Sequence, residues 1–304
     1  METRPATARA VAPAAPPAVV ARRRTRRMWP RVLVLAVVTV AVLFPFWWML
    51  SHAFTPEGQP VSLIPAEPTT ENFQTAVTAA NLDTAFANST LVTVVAVLTN
   101  CIVPVIAGYA FAHLPFRGSS VVFYVLLSTV AIPGSVTLIP LFLMAKHFPL
   151  AGGNDILGSG GSGLLDSVGG LMLPYLVGTM NIFLSRQYFA SMDRDFAEAA
   201  RIDGAGELRI FAGIYLPMAK PLLALVAVFS FTGVWDDFLW PLVVSTSERS
   251  TTVQLAITTF ASSGNVKYGA LMAATILVTI PVLAVFLLNQ RGFISGLADG
   301  GIKG

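Results

Sequence analysis

Charge is scarce in this chain. Only 12% of its 304 residues are Asp, Glu, Lys or Arg, about half the usual share in soluble domains. That shortage excludes a water-covered fold of this size, because 55% of the residues are apolar and need a non-aqueous surface to face. Cysteine is nearly absent. Cys101 stands alone in an apolar stretch, so no intramolecular disulfide forms, and the residue reads as a small buried filler. No Gly-Lys-Ser/Thr triplet occurs, so the chain carries no P-loop. HExxH and CxxC are missing too. His52, His113 and His147 fall near the ends of apolar runs, as surface histidines rather than metal ligands. The formal charge of +3 does not point to nucleic acid, since the basic residues follow a membrane pattern.

Long apolar runs are what the chain does have. They lie near Val32–Leu50, Ala85–Ala112, Ser120–Ala145, Gly169–Phe189, Ala219–Ser245 and Gly269–Asn289. Each is long enough to cross a hydrocarbon core of about 30 Å as a helix. Most contain proline, which membrane helices tolerate when neighbours satisfy the freed carbonyls. The expected fold is all-α, with six transmembrane helices over residues 31–291. A basic, Pro- and Ala-rich extension (1–30) with no apolar periodicity is expected to be disordered. Trp47 and Trp48 at the end of the first run argue against a cleaved signal peptide.

Lys and Arg set the orientation. With the N-terminus cytoplasmic, sixteen of the nineteen fall on inner segments. The outer segment Phe54–Thr84 has neither, and includes a short helix expected near Asn72–Ala80. The outer segment Lys146–Asp166 is glycine-rich over Gly152–Gly163 and reads as a flexible linker. The tail 292–304 is expected on the cytoplasmic side.

The inner segment Arg186–Lys220 stands apart. Its five basic residues are balanced by Asp193, Asp195, Glu198, Asp203 and Glu207. Asp195 is the expected N-cap, with Glu198 three residues on, as in a capping box. A helix from Phe196 to Asp203 follows, stopped by Gly204. Phe196, Ala199, Ala200 and Asp203 share one face at helical spacing. A second helix runs from Glu207 to Pro217. Residues alone leave two readings open: a helix resting on lipid headgroups, or a stub docking into a partner's groove.

Spacing then points to a family. Glu198-Ala199-Ala200, Gly204 and Ile214-Tyr215-Leu216-Pro217 match the EAA loop (190–217) of ABC importer permeases at every interval. The run through Ala205, the Trp235–Pro241 segment and the C-terminal stretch resemble the carbohydrate branch, of the maltose and glycerol-3-phosphate type. Asp236 stands where that branch more often has Asn. The resemblance covers about residues 30–304. It implies half of a translocation pathway for a sugar-like solute. The implied partners are a second permease, a dimer of ABC ATPases, an extracytoplasmic solute-binding protein and the bilayer. ATP and Mg would be bound by the ATPase partner, with no cofactor in this chain. It implies ATPase coupling through Glu198, Ala199, Ala200, Asp203, Gly204, Ile214, Leu216 and Pro217.

Asp236 and Asp237 are the acidic residues placed inside a run, where an ionisable group suggests function. Gly233, Asp236 and Trp240 are expected on one helical face as pathway residues, with Asn181 in the fourth span as a fourth. Local structure, contact with the second permease or an interfacial aromatic belt are equally open for this segment. A permease for another solute is one alternative. An intramembrane serine protease is another, on the string Gly160-Gly161-Ser162-Gly163, as is a proton-coupled transporter.

Overall fold

A computed structural model describes residues 28–60, 62–114, 116–262 and 266–301, the last eleven and residue 262 by backbone alone. The expected extension 1–30 lies outside that range up to residue 27. The tail 292–304 is described only as helical backbone to Gly301. All regular structure among the described residues is helical.

The chain divides into two units, 1–49 and 50–304. The first holds most of α1 (Trp29–Ala53), a 25-residue helix about 37 Å long by its rise per residue. Nearly every side chain from Trp29 to Trp48 is exposed and apolar, as lipid contact requires.

In the second unit, α2 (Glu71–Ala79) forms where the outer helix was expected. Asn72 pins it: its amide donates to the carbonyls of Ala53 at 2.9 Å and Thr55 at 2.8 Å. Next come α3 (Leu82–His113), α4 (Ser119–Thr129), α5 (Gly134–Lys146), α6 (Val168–Met172) and α7 (Thr179–Ala190). A short 3-10 turn, Leu173–Tyr175, extends α6. The loop that follows holds α8 (Asp195–Ile202), α9 (Glu207–Ile210) and α10 (Leu216–Met218), the last two joined by a π turn at Phe211–Tyr215. Then follow α11 (Lys220–Trp235), α12 (Leu239–Val244), α13 (Val253–Ser262) and α14 (Tyr268–Gly301).

Among the described residues, three helices are long and apolar enough to cross a membrane unaided: α1, α3 and α14 over Tyr268–Gln290. The other runs are broken. The third bends by 100° between α4 and α5, and the fourth by 40° between the α6 segment and α7. The fifth is entered through a 77° bend between Glu207–Met218 and Lys220–Trp235, and is interrupted within its length between α11 and α12. Proline explains part of this. Pro133 is the N-cap of α5, Pro174 sits in the turn after α6, and Pro217 and Pro221 flank the 77° bend. Pro217 has no N–H to give the carbonyl of Gly213, and the backbone before it widens into the π turn. Pro45, Pro104, Pro140 and Pro281 lie inside helices instead.

Three clusters pack the second unit. An outer one joins Ala76, Leu82, Trp235, Val253 and Ala273; an inner one is built on Tyr109, Phe189 and Tyr215; a third surrounds Leu171, Trp240 and Val244. Cys101 packs half-buried against the inner cluster, as a small apolar residue does. His113 departs from expectation. It is no surface histidine: its ring lies 4.5 Å from that of Tyr215, and Nε2 is 3.0 Å from the Phe189 carbonyl.

The glycine-rich segment between α5 and α6 is a pinned loop, not a flexible linker. The Asn154 amide donates to the carbonyls of Lys146 (2.8 Å) and Phe148 (3.0 Å), and its oxygen accepts from Gly161 N–H (2.8 Å). A Cβ on Gly161 would lie 2.2 Å from the Gly152 carbonyl oxygen, so the two strands of the loop approach as only glycine permits. Ser162 donates to Gly152, the bond that the protease-like string actually makes.

Asp166 closes this loop onto the segment after α12. Its Oδ1 accepts from Thr246 N–H, Ser247 N–H and the Ser250 hydroxyl. Hydrogen bonds from Ser247 and Ser250 pull its carboxyl down from 3.8 to about 2. A depressed pKa means the stabilisation is complete above the unfolded value and is lost as pH falls through the folded one. Asp166→Ala is therefore expected to speed amide exchange over residues 246–250 at neutral pH. The unsubstituted chain should show the same loosening only as pH falls from about 4 towards 2. Hydrogen exchange, corrected for intrinsic rates, reads this directly.

Candidate functional site

The loop between α7 and α11 is built from its floor upward. Tyr109 and His113 at the end of α3, Phe189 at the end of α7, and Phe211 and Tyr215 before α10 form an aromatic cluster with centroid separations of 4.5 to 6.3 Å. Ala197 of α8 drops into this cluster and is 1% exposed. Ala200, Ala205, Ile214 and Leu216 pack around it, half-buried. Ile214 and Leu216 thus anchor the loop, while Pro217 lies exposed at the bend.

Polar bonds hold α8 at both ends. At its start, the Tyr215 hydroxyl donates to the Asp193 carbonyl at 3.1 Å, and Arg194 Nη2 to the Ala112 carbonyl at 3.3 Å. The expected cap is displaced. Arg194 is the N-cap, Asp195 is already helical, and Asp193 Oδ1 accepts Asp195 N–H at 3.2 Å. Glu198 therefore sits a residue too deep to complete a capping box. Asp193 wins because its side chain reaches forward two residues, a local bond that competes with the cap.

At its end, Gly204 adopts φ +80°. Ala205 N–H donates to the Ala200 carbonyl (2.9 Å) and Gly204 N–H to that of Arg201 (3.0 Å). These two bonds make a Schellman motif, with Ala200 and Ala205 as its apolar contact. Arg201 then grips Glu207 across the turn at 2.7 and 3.2 Å. The guanidinium holds the Glu207 carboxyl below its ordinary range. Both side chains are exposed, so the pair adds only about 0–1 kcal/mol.

Phe196, Glu198, Ala199 and Asp203 are exposed as expected. Ala200 is turned half inward, because Ala197, three residues before it, is the residue that faces the floor. Two further apolar residues of this loop are exposed: Ile202 and Leu208, at 87% and 84%. They lie off the stripe traced at helical spacing, and only the closed turn at Gly204 brings their segment round. A cleft of about 350 Å³ opens beside α8, lined by His113, Ser119, Arg194, Glu198 and Arg201.

The four expected pathway residues do not share a surface. Helix α11 ends at Trp235, and Asp236 is its C-cap, so no continuous helix carries Gly233, Asp236 and Trp240 on one face. Gly233 and Asp236 are exposed. Trp240 is 3% exposed, in the third cluster, and its indole N–H donates to the Gly170 carbonyl at 3.0 Å. Asn181 is buried, its amide donating to Asn100 Oδ1 at 2.9 Å and to Ser230 Oγ at 3.1 Å. Phe229 is exposed four residues before Gly233, on the side of α11 that Asp236 extends.

Known proteins share this sequence and architecture. The chain is 32% identical over 273 residues to the diacetylchitobiose uptake system permease protein NgcG of Streptomyces coelicolor, covering 88% of this chain and 86% of that one. It is 31% identical over 283 residues to the arabinooligosaccharides transport system permease protein AraQ of Halalkalibacterium halodurans, covering 91% and 96%. Its fold matches a chain of a crystallised bacterial ABC transporter for alginate import with a TM-score of 0.75 at 24% identity, covering 91% of this chain and all of that one. The profile of one family, described as "Binding-protein-dependent transport system inner membrane component", runs from residue 14 to residue 297. With nearly its whole length inside that profile, the chain belongs to this family of inner-membrane transport components.

Proposed function

We propose that this chain is one of two homologous permease subunits of an ATP-driven importer, carrying a sugar or short oligosaccharide inward through the cell membrane. The family supports a transport component rather than an enzyme, and the oligosaccharide-uptake relatives support the solute class. In this reading the six apolar segments cross the membrane with both ends inside. A solute-binding protein outside delivers the solute, and two ATPase subunits dock below.

The observation that carries the proposal is the construction of α8. It is held rigidly on an aromatic floor, yet it exposes Phe196, Ala199 and Ile202 beside Glu198 and Asp203. A helix lying on lipid headgroups is typically basic on its polar face. Here Asp195 and Glu198 outnumber Arg201, whose charge is already taken by Glu207. That balance favours a protein groove. Closure of an ATPase dimer would push the docked α8, and rigid fixing converts the push into rotation of α3, α7 and α11. Phe229, Gly233 and Asp236 are the pathway face in this reading, offering an aromatic ring and a carboxylate to sugar hydroxyls.

Affinity purification through this chain in mild detergent is expected to recover a second permease and an ATPase that hydrolyses MgATP. Vesicles containing the complex and its binding protein should concentrate at least one of a panel of radiolabelled di- and oligosaccharides. Recovery of the chain alone would overturn the importer reading. Uptake of labelled peptides but no sugar would transfer it to the other solute class.

A further inference from the structure

The breaks in three apolar segments are not separate kinks; hydrogen bonds join them. A break in the fourth segment, between Tyr175 and Thr179, leaves backbone groups that a continuous helix would have paired. Asn100, in the middle of α3, supplies both missing partners. Its Oδ1 accepts from Gly178 N–H at 2.7 Å, and its Nδ2 donates to the Tyr175 carbonyl at 2.7 Å. The same oxygen accepts from Asn181, which reaches on to Ser230 of α11. A Cβ at Gly178 would lie 2.9 Å from Asn100 Oδ1 and from Asn181 Nδ2, so a larger residue here would push these amides out of place.

Two further links run outward from this break. The Tyr175 hydroxyl donates to Asp237 Oδ2 in the gap between α11 and α12, and Asp237 Oδ1 accepts Leu239 N–H at 2.9 Å to start α12. On the other side, the hydroxyls of Thr129 at the end of α4 and Thr179 at the start of α7 lie 3.3 Å apart; Thr129 gives its proton to the Leu126 carbonyl at 2.7 Å, so Thr179 is the donor between the two. The interruptions of the third, fourth and fifth segments are thereby tied through Asn100, Tyr175, Thr179 and Asp237.

We propose that Asn100, Tyr175 and Asp237 are positioning residues that splice these breaks together, so that the breaks keep their mutual register while the permease changes conformation. The splice rests on the importer reading for its role in transport, but not for its geometry. The Asn100 links are buried or half-buried, where an unpaired backbone group is costly, so the bonded arrangement resists opening. The conformational change is then taken up elsewhere, for example at the unspliced 77° bend around Ala219.

Two experiments on the whole complex test this. In a Cys101→Ser chain, Thr129→Cys and Thr179→Cys are cross-linked with a short bis-methanethiosulfonate, in the nucleotide-free state and with MgATP plus orthovanadate. The splice requires the same yield in both states; a yield that differs between them overturns it. In the second, Tyr175→Phe, Asp237→Asn and the double variant are assayed for MgATP hydrolysis stimulated by the binding protein. Each single variant is expected to lower the maximal rate about fivefold. The KM for MgATP should be unchanged, and the double variant no worse than the singles. Additive losses, or single variants with the full rate, overturn the link. Absence of MgATP hydrolysis in the complex with the unsubstituted chain counts against the importer reading instead, and the cross-linking yield on nucleotide-free complexes with Asn100→Leu still reads the splice, which requires that yield to fall.

Discussion

Gly108→Val is expected to leave no folded permease. Gly108 lies on α3 where α7 crosses it, and a Cβ there would sit 2.3 Å from Ser185 Cβ and 2.7 Å from the backbone nitrogen of Arg186. No side-chain rotation relieves a clash with backbone, so the two helices must separate. Membrane helices associate through close packing, and small residues at the crossing permit it. Separation here also lifts Phe189, at the end of α7, out of the aromatic floor on which α8 rests. Gly108→Ala should cost about 1–3 kcal/mol, the range for overpacking. Gly108→Val should give aggregated protein in detergent, read by fluorescence-detected gel filtration and thermal melting. A monodisperse valine variant with an unchanged melting point would show that the crossing is not a close contact.

Gly204→Val is expected to do the reverse: spare the fold and abolish uptake. No atom lies within 4 Å of a Cβ at Gly204, so sterics with neighbours are not the issue. The backbone is. At φ +80° an L-residue pays about 1–2 kcal/mol, more when β-branched. Valine is expected to escape by unwinding the Schellman turn, which swings Ile202 and Asp203 away from the docking face. Uptake should fall at least about tenfold while membrane insertion and melting stay near normal. Gly204→Asn, which tolerates positive φ, should retain most activity. Full uptake by the valine variant would sink the docking role of this turn. A bulky residue at Ala200 acts by another route, since its half-buried Cβ is the apolar contact of the same motif.

Comparing α8 with α11 shows how far sequence reasoning reaches. For α8 the stop at Gly204 was legible, because one residue type dominates left-handed caps. Its start was missed by a residue, since Asp193 and Asp195 are chemically equal and only Tyr215, gripping the Asp193 carbonyl, separates them. For α11 hydropathy ran unbroken from Ala219 to Ser245, and the apparent helical face through Trp240 followed from that continuity. Nothing in the hydropathy marks Asp237 as a helix breaker; its partner Tyr175 is 62 residues away. Asn100 carries no sequence signal for the same reason. A single polar residue in an apolar run has no visible partner until the chain is folded.

What the sequence determined by itself is therefore local and compositional. Apolar length required membrane helices, the Lys and Arg distribution carried an orientation, and fixed spacing from Glu198 to Pro217 pointed to the family before any geometry was known. Tertiary structure alone decided where the segments break, which loop glycines are packed rather than flexible, and which face of α8 turns outward. Those outcomes depend on partners far along the chain: Ser185 against Gly108, Tyr175 against Asp237, Asn100 against the backbone of Gly178. Periodicity records what each residue prefers beside its neighbours. In a medium with no water to satisfy a stray amide, the fold is settled by where the unpaired groups find each other.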